Sequence, residues 1–269
     1  MHALNNEVKG KLAVSRSIGG RDARERVVLS APALCYHAGR MDDFLVRLPE
    51  IVIQLLAFAF ALSLHESAHG WMAERLGDPT ARWLGRITLN PIKHIDPFGS
   101  IIFPLMLALL HAPIFGWAKP VPFVSRNLRN QKWGPALVAA AGPMSNLAAV
   151  TVLTIVMLAL KAVVPEFRSL LYVAVREGAT GASGIAAPLL SLLFWLTAVN
   201  LVLAVFNLIP IPPLDGSHIL VAVLPPRLSF QVARLSQYGM IILFALMWTG
   251  IFGHILRPFL SLLSWILLS

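Results

Sequence analysis

The chain has 269 residues, 57% of them hydrophobic and 13% charged, with a mean hydropathy of +0.72. Ordinary soluble domains carry about 25% charged and under ~50% apolar residues, so a soluble globular protein is excluded, and the single cysteine, Cys35, excludes an internal disulfide or a multi-cysteine zinc site. The formal charge of +9 does not indicate nucleic acid, because the basic residues lie between long apolar blocks rather than on one basic face.

Residues 1–40 hold seven Lys/Arg and three Asp/Glu and no apolar run of spanning length. No apolar core follows the basic residues, so the stretch does not read as a signal peptide. The stretch reads as a disordered or non-native extension, with Met41 a sensible alternative start and residues 41–269 forming one domain. The first apolar block, about 48–72, opens after Pro49 and reads as a helix with the sequence HESAH, 65–69, near its C-terminal end. A polar stretch follows at 74–99, broken by Gly77, Asp78, Pro79, Asn90, Pro91 and Pro97. A short apolar run at 100–110 leads to GWAKPVP, 116–122, whose two prolines dictate an extended loop.

The second long block covers about 134–163, and 164–184 reads as a loop. The third block runs from about Ala186 to Leu208 and is broken by Pro210, Pro212 and Pro213, directly before Leu214-Asp215-Gly216. Apolar sequence resumes at 217–224, and 230–269 is apolar but interrupted near 250–258, leaving one or two spans open there. The pattern predicts an all-α membrane bundle of about four to six membrane helices, with a short re-entrant or extended segment near 100–122. Residues 71–99 and 116–134 carry four Lys/Arg each. If 100–110 crossed the bilayer, these basic loops would face opposite sides, which the positive-inside rule disfavours. Eleven helical residues also reach only about 16 Å of a ~30 Å core. The expected path therefore returns to the cytoplasmic side, and Asp215 falls near that same face.

HESAH is the pattern H-E-x-x-H. On a helix, His65 and His69 stand one turn apart and differ by only ~40°, so both imidazoles can grip one zinc ion. Glu66 is turned away by about 100°, which suits it to take a proton from a water beside the metal rather than to bind the metal. Chance spacing would produce the pattern roughly 0.006 times in such a chain, and ionisable groups in a membrane helix are costly without a use; a polar patch facing a partner helix is the weaker alternative. Such a site needs a third protein ligand. Glu74 points away on the helix, while Asp78, Asp96, Glu166 and Glu177 fall in loops. Asp215, in apolar sequence beside a proline-broken backbone, is the best placed; its alternative role is to cap a helix starting near Gly216.

HESAH at 65–69 and NLIPIPPLDG at 207–216, in that order on separate spans, resemble the site-2 protease family of intramembrane zinc metalloproteases. The resemblance covers about 48–225, and GDPTA at 77–81, LNPIKHIDPFG at 89–99 and GWAKPVP at 116–122 are similar to its compact bacterial and archaeal branch. The loop 164–184 is too short for the PDZ domain inserted in other members. The resemblance implies one zinc on His65, His69 and Asp215, with Glu66 as general base. It also likens AGPMSN, 141–146, to the family's Gly-x-x-x-Asn stretch. That gives Asn146 a catalytic role, stabilising an oxyanion or orienting substrate, against the alternative of an interhelical hydrogen bond beside close packing at Ala141 and Gly142.

The implied function is zinc-dependent cleavage of membrane-spanning proteins in regulated intramembrane proteolysis. It would occur in a prokaryotic cell (inner) membrane, with the active site toward the cytoplasm. The expected partners are membrane-embedded substrates and the lipid bilayer, with no nucleic acid; the oligomeric state stays open. A metal transporter and an inactive membrane-protein scaffold are the rivals, and a transporter has no need of an acid at the offset of Glu66. Several residues carry two readings. His94 and Asp96 are either an outer-shell pair or, preferred, loop-shaping residues. His218 reads as capping or interfacial, His111 and His254 as interfacial, and Asn207 as a partner of the broken backbone.

Overall fold

In hydrocarbon every backbone N–H and C=O must find its partner within its own segment, and long apolar blocks therefore become helices. The computed structural model describes residues 41–103, 106, 119–177 and 185–268, and contains no strand among them. The helices, in chain order, are α1 (Met41–Arg75), α2 (Thr80–Trp83), α3 (Gly134–Val163), α4 (Phe167–Glu177), α5 (Ala186–Asn207), α6 (Asp215–Val223), α7 (Pro226–Leu235), α8 (Gly239–Trp248) and α9 (Ile251–Leu268). Among the described residues, five stretches are long and apolar enough to cross a membrane: 48–75, 134–163, 186–207, 226–248 and 251–268. The chain is an integral multi-pass membrane protein, and residues 226–268 supply two such stretches.

Helices α1, α3 and α5 pack against one another at the centre. Their buried apolar side chains are largely alanine: Ala57, Ala61 and Ala73 on α1, Ala136 and Ala139 on α3, Ala198 and Ala204 on α5. Lipid tails are as apolar as leucine, so membrane helices gain from close backbone approach instead, and small side chains permit it. Large apolar residues such as Leu55, Phe60, Val152 and Ile155 face outward, as a lipid-facing surface requires.

Two expectations change. Most of 164–184 is not loop, because Phe167, Leu171 and Ala174 bury one face of α4. Their partners include Met157 of α3, Leu190 and Leu201 of α5, and Leu263 and Leu267 of α9. Glu177 is accordingly the last residue of a helix. Asn207 does not reach the proline break; its amide donates to Leu203 O of its own helix at 3.0 Å. The re-entrant path expected near 100–122 falls mostly outside the described residues. Its flanks are a π-helical turn at Pro97–Ile102 and a non-helical run from Lys119 to Val124.

Between α5 and α6 the chain turns through short local bonds, Ile211 N to Ile209 O at 2.8 Å and Leu214 N to Ile211 O at 2.9 Å. Gly216 closes this turn: a side chain there would lie 2.5 Å from Ile209 O. That close approach folds the start of α6 back onto the end of α5 and brings Asp215 toward α1.

Candidate active site

The helical period places His65 and His69 on one face of α1, with ring centroids 4.6 Å apart and ring planes at 88°. Each imidazole is pinned from behind. His65 Nδ1 lies 2.6 Å from Asn146 Oδ1, and His69 Nδ1 lies 2.7 Å from Val138 O, both acceptors belonging to α3. A carbonyl can only accept, so His69 carries its proton on Nδ1. The orientation of Asn146 is set in the same way. Its Nδ2 donates to Ala61 O at 3.1 Å and to Asn200 Oδ1 at 2.6 Å. Asn200 Nδ2 in turn donates to Leu196 O at 2.7 Å. Asn146 therefore presents Oδ1 to His65, which donates from Nδ1, and both histidines are left with a lone pair on Nε2.

Those lone pairs meet a third. Asp215 Oδ2 is 3.1 Å from His65 Nε2 and 3.4 Å from His69 Nε2, and it is buried with no hydrogen-bond partner. Asp215 is the first residue of α6, and no side chain caps that helix, so its carboxylate is turned to the histidines and the capping alternative fails. Three acceptor lone pairs converging without a donor repel unless a cation lies between them. The three donor atoms lie within 4.8 Å of one another. Tetrahedral ligands about 2.0–2.1 Å from a zinc ion are separated by roughly 3.3 Å, close to both separations from Asp215. Two imidazoles and one carboxylate are also a donor set that leaves zinc one open position. His65, His69 and Asp215 thus fit one zinc ion.

Close packing of α3 makes this possible. A side chain at Gly142 would lie 2.5 Å from His69 Nε2 and 2.7 Å from His65 Cε1. Only glycine lets α3 pass against both rings. Glu66 is partly buried on the adjacent flank of α1, where its Oε2 accepts from Val121 N at 3.0 Å. Ser67 is also engaged: its hydroxyl donates to Thr88 O and accepts from Thr88 N, tying the loop after α1 to the motif itself.

The five residues expected from the sequence, His65, Glu66, His69, Asn146 and Asp215, thus gather at one place where α1, α3 and α6 meet. His94 is buried, with Nε2 2.9 Å from Thr88 O, and Asp96 accepts from Gly99 N at 2.6 Å; both contacts shape the loop. His218 is exposed on α6, and His111 lies outside the described residues. Sequence reasoning passed over Asn200, whose signal was an amide in the middle of an apolar 22-residue helix, and set Asp78 aside as a loop acid, although it is a fully buried carboxylate.

A polytopic helical bundle with an H-E-x-x-H helix and a converging aspartate defines a membrane-embedded metalloprotease. The model of Peptidase family M50 matches residues 53–249, and the chain belongs to that family of zinc metalloproteases. The relatives agree. YwhC of Bacillus subtilis (strain 168), assigned as a zinc metalloprotease, is 34% identical over 225 residues, which cover 82% of this chain and 92% of the relative. Rip2 of Mycolicibacterium smegmatis, assigned likewise, is 27% identical over 80% of this chain and 72% of its own length. Rip2 of Mycobacterium tuberculosis (strain H37Rv) is 28% identical over 80% and 73%. No solved structure matches the chain.

Proposed function

We propose that this metalloendopeptidase cuts membrane-spanning protein substrates, in a prokaryotic cell (inner) membrane and from the cytoplasmic side, as a step in regulated intramembrane proteolysis. The observation that carries this reading is the position of the three converging donors. His65 and His69 belong to the apolar stretch 48–75, about 9–15 Å along the helix axis before its end at Arg75, and Asp215 comes from just beyond the third apolar stretch. The donors are thus supplied by the spanning helices and their junctions, not by an appended domain. The basic residues of 71–99 and 116–134 support a cytoplasmic orientation for this end of the bundle.

In this reading His65, His69 and Asp215 hold the zinc and Glu66 is the general base. Zinc, when bound, polarises the scissile carbonyl and lowers the pKa of a water to about 7. Glu66 takes the proton of the attacking water and returns it to the leaving amine. Asn146, with its amide engaged by His65, Ala61 and Asn200, serves as a positioning residue for His65. A substrate must unwind to react, because a helix hides its carbonyls in its own hydrogen bonds. The extended run from Lys119 would receive such a strand. Pro120 and Pro122 have no N–H, and the N–H groups of Lys119 and Val121 are given to His94 O and Glu66, so residues 119–122 offer acceptors only. Deleting Lys119–Pro122 abolishes cleavage on this reading; unchanged cleavage removes the edge from the account.

The direct test is cleavage of a panel of tagged single-span membrane proteins in proteoliposomes, with the cut bond mapped by mass spectrometry. Wild type should cut within or beside the apolar span, and Glu66→Gln should slow the reaction by about 10²–10⁴-fold while holding the same zinc. Cuts confined to soluble loops, or full activity of the variant, would contradict the reading.

A further inference from the structure

Asp78 is fully buried beyond the end of α1, and no cation accompanies it among its bonds. Its carboxylate is instead filled by uncharged donors. Oδ1 accepts from Thr80 Oγ1 at 2.6 Å, from Thr80 N at 3.3 Å and from Asn127 Nδ2 at 2.9 Å, while Oδ2 accepts from Val124 N at 2.5 Å. Two of these donors stabilise the turn into α2. The other two reach across 46 and 49 residues to the segment that follows Lys119. A buried charge filled this completely is costly to disturb, since removing an acceptor leaves its donors without partners.

The segment it holds is the one that touches the motif. Arg129 N donates to Leu76 O at 2.9 Å, and Lys119 N donates to His94 O at 2.9 Å, so the run is fastened near both ends. Between these points Val121 packs over Gly70, where an added side chain would meet Val121 Cγ1 at 3.1 Å. Gly70 is one helical turn past Glu66, so this contact sets the height at which the segment crosses α1. At that crossing Val121 N donates to Glu66 Oε2. The neighbours Pro120 and Pro122 have no N–H, so within 120–122 only Val121 can supply this bond, and a slip of one residue along the helix would abolish it.

We infer that Asp78 is a positioning residue for Glu66, acting through the segment 119–128: it fixes where the N–H of Val121 stands, and that N–H engages one carboxylate oxygen and leaves the other to take the proton. Asp78 lies nine residues beyond His69, yet its hydrogen bonds go to Thr80, Val124 and Asn127 and not to the ligands or Glu66, so its effect is on orientation. The inference rests on the reading of Glu66 as the base.

The test uses the full-length zinc-loaded protein in detergent and a peptidyl hydroxamate as probe, because a hydroxamate bound at zinc shares a proton with the neighbouring acid and reports its placement. Affinity is measured for wild type, Asp78→Asn, Val121→Pro and Glu66→Gln, and for both double variants with Glu66→Gln, alongside zinc content. Val121→Pro removes the N–H from a run that is already extended, and remains informative if Asp78→Asn does not fold. The expected result is about one zinc per chain throughout and a loss of about 10- to 100-fold in affinity for each single variant, with no additional loss when either is combined with Glu66→Gln. Unchanged affinity in folded Asp78→Asn or in Val121→Pro, or equal losses with and without Glu66, would overturn the inference and leave the peptidase reading standing. Wild type that holds zinc yet binds the hydroxamate no better than Glu66→Gln would overturn the reading of Glu66, and the inference with it.

Discussion

At the scale of single residues, the site is a set of lone pairs aimed by hydrogen bonds. Leu196 O fixes Asn200, Asn200 and Ala61 O fix Asn146, and Asn146 fixes His65. Asn146→Leu should leave the Nδ1–H of His65 and the amide oxygen of Asn200 unpaired in the bundle, at about 1–3 kcal/mol for each. Zinc affinity should fall about 10- to 100-fold, as read by competition with a chelator of known affinity, and unaltered affinity would mean that His65 needs no partner. The ligands themselves were legible in the sequence because chemistry dictates their spacing: His65, Glu66 and His69 lie within five residues, and Asp215 follows a proline break that apolar sequence does not otherwise tolerate. The residues that aim them were less legible. Asn200 faces its partner through tertiary packing alone, and one asparagine in an apolar helix does not name what it touches.

At the scale of elements, the decisive features are junctions. Asp78 anchors the stretch after Lys119 to the end of α1, and its protonation should release that anchor. Burial pushes its carboxyl up, but the hydrogen bonds from Thr80, Asn127 and Val124 outweigh this and hold it below the usual carboxylate range. A group with a depressed folded pKa stabilises fully above its unfolded pKa, about 3.9, and loses that contribution as pH falls through the folded value. The difference in thermal stability between wild type and Asp78→Asn should therefore be constant from about pH 5 upward and shrink below about pH 4; a gap that persists in acid would show that the charge is not what matters. The first three helices of spanning length were readable from their apolar blocks, whereas the sequence left one or two spans open after residue 230, where the structure has two stretches of spanning length. Helix α4 was not, because Arg168, Arg176, Glu166 and Glu177 made 164–184 resemble a loop, although Phe167, Leu171 and Ala174 already followed the helical period.

For the whole molecule, the same cation that would serve the reaction ties distant parts of the chain. His65 and His69 lie on α1 and Asp215 on α6, 146 residues beyond His69, so zinc at this position links the first apolar stretch to the turn after the third. Anything that binds only the folded state stabilises it by mass action, about 2.7 kcal/mol at a hundred times its dissociation constant. Chelation should lower the unfolding temperature of wild type and of Glu66→Gln by the same amount and leave Asp215→Ala unchanged; a fall seen equally in Asp215→Ala would indicate zinc elsewhere.

The most direct measurement is the zinc content of purified wild type and Asp215→Ala, counted per chain in detergent at matched folding. The account predicts about one zinc in wild type and a large loss in the variant. A folded wild type without zinc, or Asp215→Ala that keeps a full equivalent through dialysis, would contradict it.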